Sequence, residues 1–496
     1  MTNYTKLAVK GTIIVLIVSM LAAFLGYIAR LVLARGLSVE EFGLFNAVFS
    51  FLGMIGIFKS LGFDKALIKF IPEFRHESRN DFIKSSIVYV ALIQLITNII
   101  VIIAVYFLSS YLSMKFFHSP QADIALKLMA IAFFLDSFVL ALKFAFQGFG
   151  EMLYFSMIDV IRMLIVIAVV IVGFKLNYGL LSPVAAYIIA PAVLLIIFGS
   201  IFLKRVFPEF FSSSVVFDRN LLKRISKYSI FVMETSAAAL ILYYTDILAL
   251  TYFSDLKNVG LYSVALPTAK VFLYFPRAIG GILLPLAAEL WAKKEEKLLR
   301  AGMESLYKFS IIMIAPLVFI MFSFTELLIT VLYGPSYILA SAPMKILSIG
   351  MIFAILYGIN INFFAGIGQP KITSKITYTA ALFNFMANII LIPYIGIIGA
   401  AIATTISYFI MMAMGLFYIK RFIKIEFPIK VWIKTLSIGL IFIFIIWLLK
   451  KAISLNVWVE TAIVLLIAGL CYILLLFLFK VVNIEELMRL YKRIVR

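Results

Sequence analysis

Residues 86–108 read SIVYVALIQLITNIIVIIAVYFL, an uninterrupted run without a charged side chain. At 1.5 Å per residue, a helix of this length is about 35 Å long and crosses the roughly 30 Å hydrocarbon core of a bilayer. Comparable apolar runs recur along the whole chain. A transmembrane β-barrel would instead show short segments that alternate apolar and polar residues. The pattern therefore predicts membrane-spanning helices.

The composition excludes an ordinary soluble domain. Of the 496 residues, 64% are hydrophobic and 14% are charged, whereas soluble domains have roughly 45–50% apolar and about 25% charged residues. The formal net charge of +20 does not predict a nucleic-acid partner, because the basic residues do not cluster in one arm or helix.

Fourteen apolar spans can be drawn, so the predicted fold is an all-α polytopic membrane protein. The spans cover about residues 11–34, 42–63, 83–109, 122–147, 154–175, 179–203, 226–252, 259–288, 305–332, 338–365, 373–393, 396–419, 431–449 and 457–479.

The connections between these spans alternate between basic and nearly uncharged. The basic ones are 65–84, 204–224, 293–300, 420–430 and the tail 480–496. Lys and Arg accumulate on the cytoplasmic side of membrane proteins, so we expect these connections and both termini in the cytoplasm. Because both termini are predicted on the same side, the number of spans must be even. We therefore predict a multi-pass protein of the cell (plasma) membrane.

Three short motifs recur at nearly the same offset. Gly43 in FGLF at the start of span 2 is echoed by Gly260 in VGLY at the start of span 8, 217 residues later. GFG after span 4 matches GIG after span 10, and Gly179 matches Gly396. Since six spans separate the copies, the halves are predicted to be parallel repeats around a central cavity.

The offset of about 217 residues predicts that the chain has three parts. Residues 1–223 form an N-terminal six-helix bundle, 224–428 a C-terminal six-helix bundle, and 429–496 two extra helices with a basic tail. In transporters built from such repeats, the substrate lies between the halves, which expose it alternately to each side.

Nothing in the sequence predicts an enzyme, a catalytic residue, a metal site or a cofactor. Phosphate-loop, zinc-protease and nucleophile-elbow motifs are missing, and Cys471 is the single cysteine. His76 and His118 fall on opposite predicted sides of the membrane. A membrane glycosyltransferase or polymerase would need a large outer loop with acids, and the longest outer connection, 110–121, has none.

About ten charged residues lie well inside the predicted spans, where insertion of each costs roughly 2.5–3.5 kcal/mol at mid-membrane. Such residues are functional candidates that normally face a cavity. The predicted cavity cations, which would bind substrate, are Arg30, Lys59, Lys270 and Arg277. The candidates for ion coupling or a charge network are Asp136, Lys143, Asp159, Arg162, Glu234 and Asp246.

Some of these charges have a structural alternative. Lys143 and Asp159 lie at equal depth on spans 4 and 5, and Asp159 and Arg162 are i,i+3 neighbours, so a purely structural bridge is one interpretation. Arg30 and Lys59 could instead extend toward the nearer membrane interface. Each of the prolines of span 8 removes a backbone hydrogen bond, which suits either a mobile gate or a static kink; these are Pro267, Pro276 and Pro285.

Several segments together resemble one family. They are RLVLARGLSVEEFGLF (30–45), LGFDKAL (61–67), QG (147–148), YTD (244–246), VGLYS (259–263), LYG (332–334) and LIPYIGIIGAA (391–401). In order and spacing the chain is similar to the polysaccharide transporter family, the Wzx-like lipid-linked oligosaccharide flippases of the multidrug/oligosaccharidyl-lipid/polysaccharide superfamily. The resemblance covers essentially the whole chain.

The resemblance implies two six-helix bundles with two further helices, and a flippase for a lipid-linked oligosaccharide. It also implies that Arg30, Lys59 and Arg277 meet the substrate diphosphate, where Lys59 departs from the family in being a lysine. The implied partners are the lipid-linked oligosaccharide, membrane lipids and glycosyltransferases or a polymerase of the same pathway.

Two other functions stay open from the residues. A cation-coupled multidrug or small-molecule antiporter of the same superfamily would bind cationic substrates through unpaired acids, for which Asp136, Glu234 and Asp246 are the candidates, with H⁺ or Na⁺ as the coupling ion. A non-transporting scaffold in a surface-polymer assembly would leave the charges within the spans unexplained.

Overall fold

Helices are the only regular elements in the part of the chain that the structure describes. The structure is a computed structural model. It describes the backbone of residues 3–453 and 455–482, and the side chains of these residues except 3–14, 16, 231 and 234–236. The predicted all-α polytopic class is confirmed.

The helices α1 to α8 are Asn3–Gly36, Val39–Ser60, Phe63–His76, Asn80–Lys115, Gln121–Phe149, Met152–Lys175, Leu181–Ile201 and Arg219–Phe253. The helices α9 to α16 are Leu256–Ala269, Tyr274–Ala292, Glu296–Ser323, Thr325–Tyr333, Ser341–Gly366, Pro370–Ile419, Ile429–Ala452 and Val457–Leu478.

Twelve membrane-spanning candidates, by length and composition, are found among the described residues. The predicted number of fourteen stays a prediction. Two differences account for it: α14 covers both predicted spans 11 and 12, with a break in its dihedral angles at Ile395 and Gly396, and within α8 the described apolar stretch begins only at Ala237, after residues 234–236, whose side chains lie outside the described part of the chain.

The basic connection after span 2 folds as a helix. Leu61 and Gly62 end α2 in left-handed conformations, with φ of 48° and 77°, and α3 follows at once. Gly62 also lies against α8, where an added Cβ would be 2.5 Å from the carbonyl oxygen of Ser229. Apolar residues recur in α3 at helical spacing, so Phe70 and Phe74 are buried while the basic side chains stay outside.

The chain divides into two compact units. The first contains the residues up to Val264 and Phe385–Ile397; the second contains Ala265–Asn384 and the residues from Ile398 onward. The core of the first unit joins α3, α5 and α7 through buried phenylalanines, among them Phe70, Phe146 and Phe198.

In the second unit, α15 and α16 pack against α11. Gly439 of α15 faces the ring of Phe319 so closely that an added Cβ would lie 1.8 Å from it. Tyr472 of α16 donates to the carbonyl oxygen of Ile312 over 3.4 Å. That carbonyl has no donor in its own helix, because Pro316 stands four residues later and lacks an N–H.

The N-terminal turns of α2 and α9 contact each other reciprocally. A Cβ added at Gly43 would lie 1.8 Å from the carbonyl oxygen of Leu256, and one added at Gly260 would lie 2.2 Å from that of Val39. Residues 39 and 43 match 256 and 260 at the 217-residue offset. Two glycines one repeat apart therefore permit this close approach from opposite sides.

Candidate functional site

Three charged side chains meet inside the first unit. Lys59 of α2 donates to Asp136 of α5 over 2.9 Å, and Arg162 of α6 donates to the other oxygen of the same carboxylate. Lys59 is 8% exposed and its Nζ lies 5.1 Å from the ring centroid of Phe133. Two cations share one carboxylate, so this ion triad carries one net positive charge.

The end of α2 fixes Lys59 in place. Because Leu61 and Gly62 leave the helix, the last carbonyls of α2 have no partner in their own helix. Thr97 and Asn98 of α4 supply donors to the Lys59 carbonyl oxygen, at 3.0 and 2.9 Å. The backbone of Lys59 is therefore held by α4 while its side chain is held by α5.

The ion triad lies at the wall of a cavity of about 280 Å³ within the first unit. The other walls are largely aromatic, from Phe49, Phe133, Tyr187 and Tyr244. The Phe49 ring lies 5.4 Å from that of Tyr187 and 5.6 Å from that of Phe133. Gly53 and Gly56 of α2 complete the lining. We call this space the α2–α5 pocket.

The side chain of Arg30 contacts the backbone of α9. Its guanidinium donates over 2.8 Å to the carbonyl oxygen of Ser263 in α9. Within a helix this oxygen would accept from residue 267, but Pro267 has no N–H. Arg30 therefore satisfies a carbonyl that a proline leaves without an intrahelical donor.

Asp246 is buried and hydrogen-bonded. Its carboxylate accepts from the Tyr262 hydroxyl at 2.6 Å and from the Asn388 amide at 2.8 Å, and Asp246 itself is 2% exposed. Glu234, the other predicted acid of span 7, has its side chain outside the described residues. Asp246 is thus the acid of this span whose surroundings are defined.

The predicted pair of Lys143 and Asp159 is confirmed by a direct hydrogen bond between α5 and α6. Arg162, the i,i+3 neighbour of Asp159, bonds Asp136 instead. The two bridges join the same pair of helices, and only the ion triad lines the pocket.

Lys270 and Arg277 belong to the second unit. The predicted span 8 is divided there, because a 3₁₀ turn, Lys270–Leu273, separates α9 from α10. Lys270 is half-buried in this turn, and Arg277 is exposed, with its guanidinium 5.4 Å from the Tyr274 ring centroid. Pro267 lies in α9, Pro276 in the first turn of α10, and Pro285 further along α10.

Sequence reasoning singled out the charges but not their aromatic surroundings. Tyr187 was missed, although a hydroxyl in the middle of an apolar run, four residues before Pro191, is a usable signal. Thr97 and Asn98 were missed as well, since their role depends on where α2 ends. The partner of Lys59 was not found either, because Asp136 comes from a different helix.

Comparison with known proteins extends over the whole chain. The profile of the Polysacc_synt family, described as polysaccharide biosynthesis protein, matches residues 8–291. An uncharacterized membrane protein of Methanocaldococcus jannaschii, MJ1068, is 34% identical over 506 aligned positions that cover all of both chains. The probable low-salt glycan biosynthesis flippase Agl15 of Haloferax volcanii is 22% identical over 41% of this chain and 43% of its own.

Two solved structures share the fold. One is the lipid II flippase MurJ in an inward closed conformation, with a TM-score of 0.73, 19% identity and coverage of 98% of this chain and 100% of that one. The other is an inward-facing multidrug resistance MATE family transporter of the MOP superfamily, with a TM-score of 0.70, 14% identity and coverage of 83% and 98%.

The resemblance found in the sequence is thereby confirmed. The matched profile covers more than half of the chain, and the relative from M. jannaschii matches it from end to end. The chain therefore belongs to the polysaccharide biosynthesis protein family and is a multi-pass membrane protein.

Proposed function

We propose that this protein is a flippase for a lipid-linked oligosaccharide, carried on a polyprenyl or dolichyl phosphate or diphosphate. It moves this substrate from the cytoplasmic to the outer leaflet for surface polysaccharide or glycan assembly. The six-helix bundles 1–223 and 224–428 alternate in access, and 429–496 adds two helices and a cytoplasmic tail. Both termini lie in the cytoplasm.

The observation that carries this proposal is the pairing of Asp136 with both Lys59 and Arg162. A carboxylate already bonded to two cations is not available for a cationic substrate, and the excess charge around it is positive. Charge complementarity therefore favours an anionic substrate. Arg30, Lys270 and Arg277 add further cations that would meet phosphate groups, with Lys59 as a point charge rather than a bidentate fork.

The direction of transport needs no ATP site. An inside-negative potential drives a negative charge outward, by about 2.3 kcal/mol per charge per 100 mV. An H⁺ or Na⁺ ion coupled through Asp246 would add to this driving force. Glycosyltransferases or a polymerase of the same pathway would supply the substrate and consume the product.

Asp246 favours the second candidate, a cation-coupled antiporter for small organic molecules. It is a buried carboxylate that accepts hydrogen bonds from Tyr262 and Asn388. The relative named a glycan flippase and the profile described as polysaccharide biosynthesis support the first candidate instead.

Flipping in proteoliposomes tests the proposal directly. A fluorescent polyprenyl-diphosphate sugar and an impermeant quencher report transfer between leaflets, with and without an imposed inside-negative potential. We expect protein-dependent flipping that Arg30→Ala, Lys270→Ala and Arg277→Ala abolish without loss of protein from the membrane, whereas Asp246→Asn has a milder effect.

Arg421→Ala is the matched control. Arg421 is exposed two residues after the end of α14 and its guanidinium lies 4.9 Å from the Tyr418 ring centroid, an environment like that of Arg277 beside Tyr274. Flipping should survive this change. No flipping of several lipid-linked sugars, together with ion-driven efflux of an organic cation, would reject the flippase in favour of the antiporter.

A further inference from the structure

The α2–α5 pocket contains hydrogen-bond donors that its ion triad does not use. The Nε of Arg162 is buried and makes no hydrogen bond within the described part of the chain. Lys59 uses one ammonium proton on Asp136, and an ammonium has three. The side chains of Tyr187 and Tyr244 also line the space. The pocket thus offers a surplus of donors to whatever occupies it.

The charge of the pocket is also unbalanced. Lys59 and Arg162 together carry two positive charges, and Asp136 returns one negative charge. A net charge in the low-dielectric interior of a membrane protein is costly unless an opposite charge accompanies it. One negative charge on a ligand would neutralise the pocket, whereas a fully ionised diphosphate would overcompensate it.

The size and walls of the pocket exceed what a bare anion needs. A volume of about 280 Å³ equals roughly nine water molecules at their liquid volume of about 30 Å³ each. That is room for one sugar ring with its substituents. Four aromatic side chains, Phe49, Phe133, Tyr187 and Tyr244, line it, and such rings offer flat apolar surface with hydroxyl groups at two of their tips.

Helix α2 presents glycines, which have no side chain, on the face that lines this pocket. Gly53 and Gly56 stand one and two turns from Phe49 in the lining. A Cβ added at Gly53 would lie 2.5 Å from the Tyr244 hydroxyl oxygen, while one added at Gly56 would meet no atom within 4 Å. Gly56 therefore opens room directly beside the ion triad.

We propose that the α2–α5 pocket binds a single sugar unit that carries one negative charge, with Lys59 and Arg162 on the oxyanion and the aromatic side chains around the ring. The charge is either a carboxylate of the sugar itself or the phosphodiester that joins the sugar to its carrier. This inference rests on the proposed function, which supplies the lipid carrier to which the sugar is joined. It defines the head group that the flippase accepts.

Binding of soluble sugars to the purified full-length protein in detergent tests the pocket without any flipping. Isothermal titration calorimetry compares glucuronate, α-glucosyl methyl phosphate and glucose. We expect at least one of the charged sugars to bind roughly tenfold or more tightly than glucose, because a charge-assisted hydrogen bond is about twice as strong as a neutral one. The stronger of the two charged probes identifies the source of the charge.

Substitutions in the ion triad should change affinity in opposite directions. Lys59→Met removes a cation and is expected to weaken binding of the charged sugar roughly tenfold. Asp136→Asn releases both cations from their internal partner and is expected to tighten binding at least about threefold. Lys127→Met is the matched control, since Lys127 pairs with Asp123 at the outer end of α5 and lies outside the pocket.

The double variant Tyr187→Phe/Tyr244→Phe keeps the ring surfaces and removes only two hydroxyls, so we expect it to fold. It tests the pocket even if Asp136→Asn does not fold. We expect about threefold weaker binding. The inference is overturned if glucose binds as tightly as both charged sugars, or if Lys59→Met and Asp136→Asn change affinity in the same direction. Flipping without charged-sugar binding overturns this inference alone, and charged-sugar binding without flipping leaves it intact while the proposed function fails.

Discussion

Arg30→Leu, alone and together with Pro267→Ala, separates the structural contact of Arg30 from its contact with substrate. Arg30 donates over 2.8 Å to the Ser263 carbonyl oxygen, which Pro267 leaves without an intrahelical donor. Interhelical hydrogen bonds in membranes contribute about 0.6 kcal/mol on average and up to about 1.7 kcal/mol. Because this bond is charged and the acceptor has lost its usual donor, we expect Arg30→Leu to cost about 1–1.5 kcal/mol of unfolding free energy.

Pro267→Ala returns an N–H to position 267 and therefore an intrahelical donor to Ser263. In that background the loss caused by Arg30→Leu should fall to nearly zero, which gives a coupling free energy of about 1 kcal/mol. Unfolding by SDS titration in mixed micelles measures both backgrounds. Pro285→Ala is the control background, because it removes a proline that has no part in the Ser263 contact.

Equal losses in the Pro267→Ala and wild-type backgrounds would refute the reasoning. Flipping then reports the second role of Arg30. If the guanidinium also meets the substrate phosphate, the double variant Arg30→Leu/Pro267→Ala regains stability and still does not flip lipid. If flipping returns together with stability, Arg30 acts only through the backbone of α9.

Two more substitutions test the packing around the site. Gly43→Ala, and independently Gly260→Ala, should lower the unfolding free energy by about 1–3 kcal/mol through overpacking of the α2–α9 contact, measured by SDS titration. Gly469→Ala, where an added Cβ meets no atom within 4 Å, should leave stability unchanged, and equal effects at all three glycines would contradict the close approach. Asn98→Ala removes one donor from the Lys59 carbonyl, so it should cost about 1 kcal/mol of unfolding free energy and weaken binding of the charged sugar. Asn456→Ala, the control, removes the N-cap side chain of α16. It should lower stability by a similar amount without any change in binding.

The apolar runs were sufficient to predict helices and a membrane, because length and hydrophobicity are properties of each segment alone. The pair of Lys143 and Asp159 was also within reach, since depth along two consecutive spans can be counted from their shared connection. Lys59 and Asp136 were not, because their contact depends on how α2 and α5 rotate toward each other. The 3₁₀ turn at Lys270 could not be predicted either. The prolines of span 8 predict a break in the helix but not the residue at which it occurs.

Basic residues between spans hid a second helix. Lys65 and Lys69 mark a cytoplasmic connection by charge, yet Phe70 and Phe74 on the opposite face bury themselves in the core of the first unit. Charge decided the predicted side of the membrane, and the helical spacing of apolar residues decided the structure. The two signals describe different faces of α3.

The reciprocal contact of Gly43 and Gly260 has an evolutionary consequence. A reciprocal contact between two matching motifs is what two identical chains make across a two-fold axis, so this contact fits a gene duplication followed by divergence. At the offset of 217 or 218 residues, Asp136 corresponds to Phe353 or Ala354, and Arg162 to Thr379 or Ala380. If the two halves arose by duplication, the ion triad was kept in one copy only, which suits a cargo with a head, a tail and no symmetry of its own.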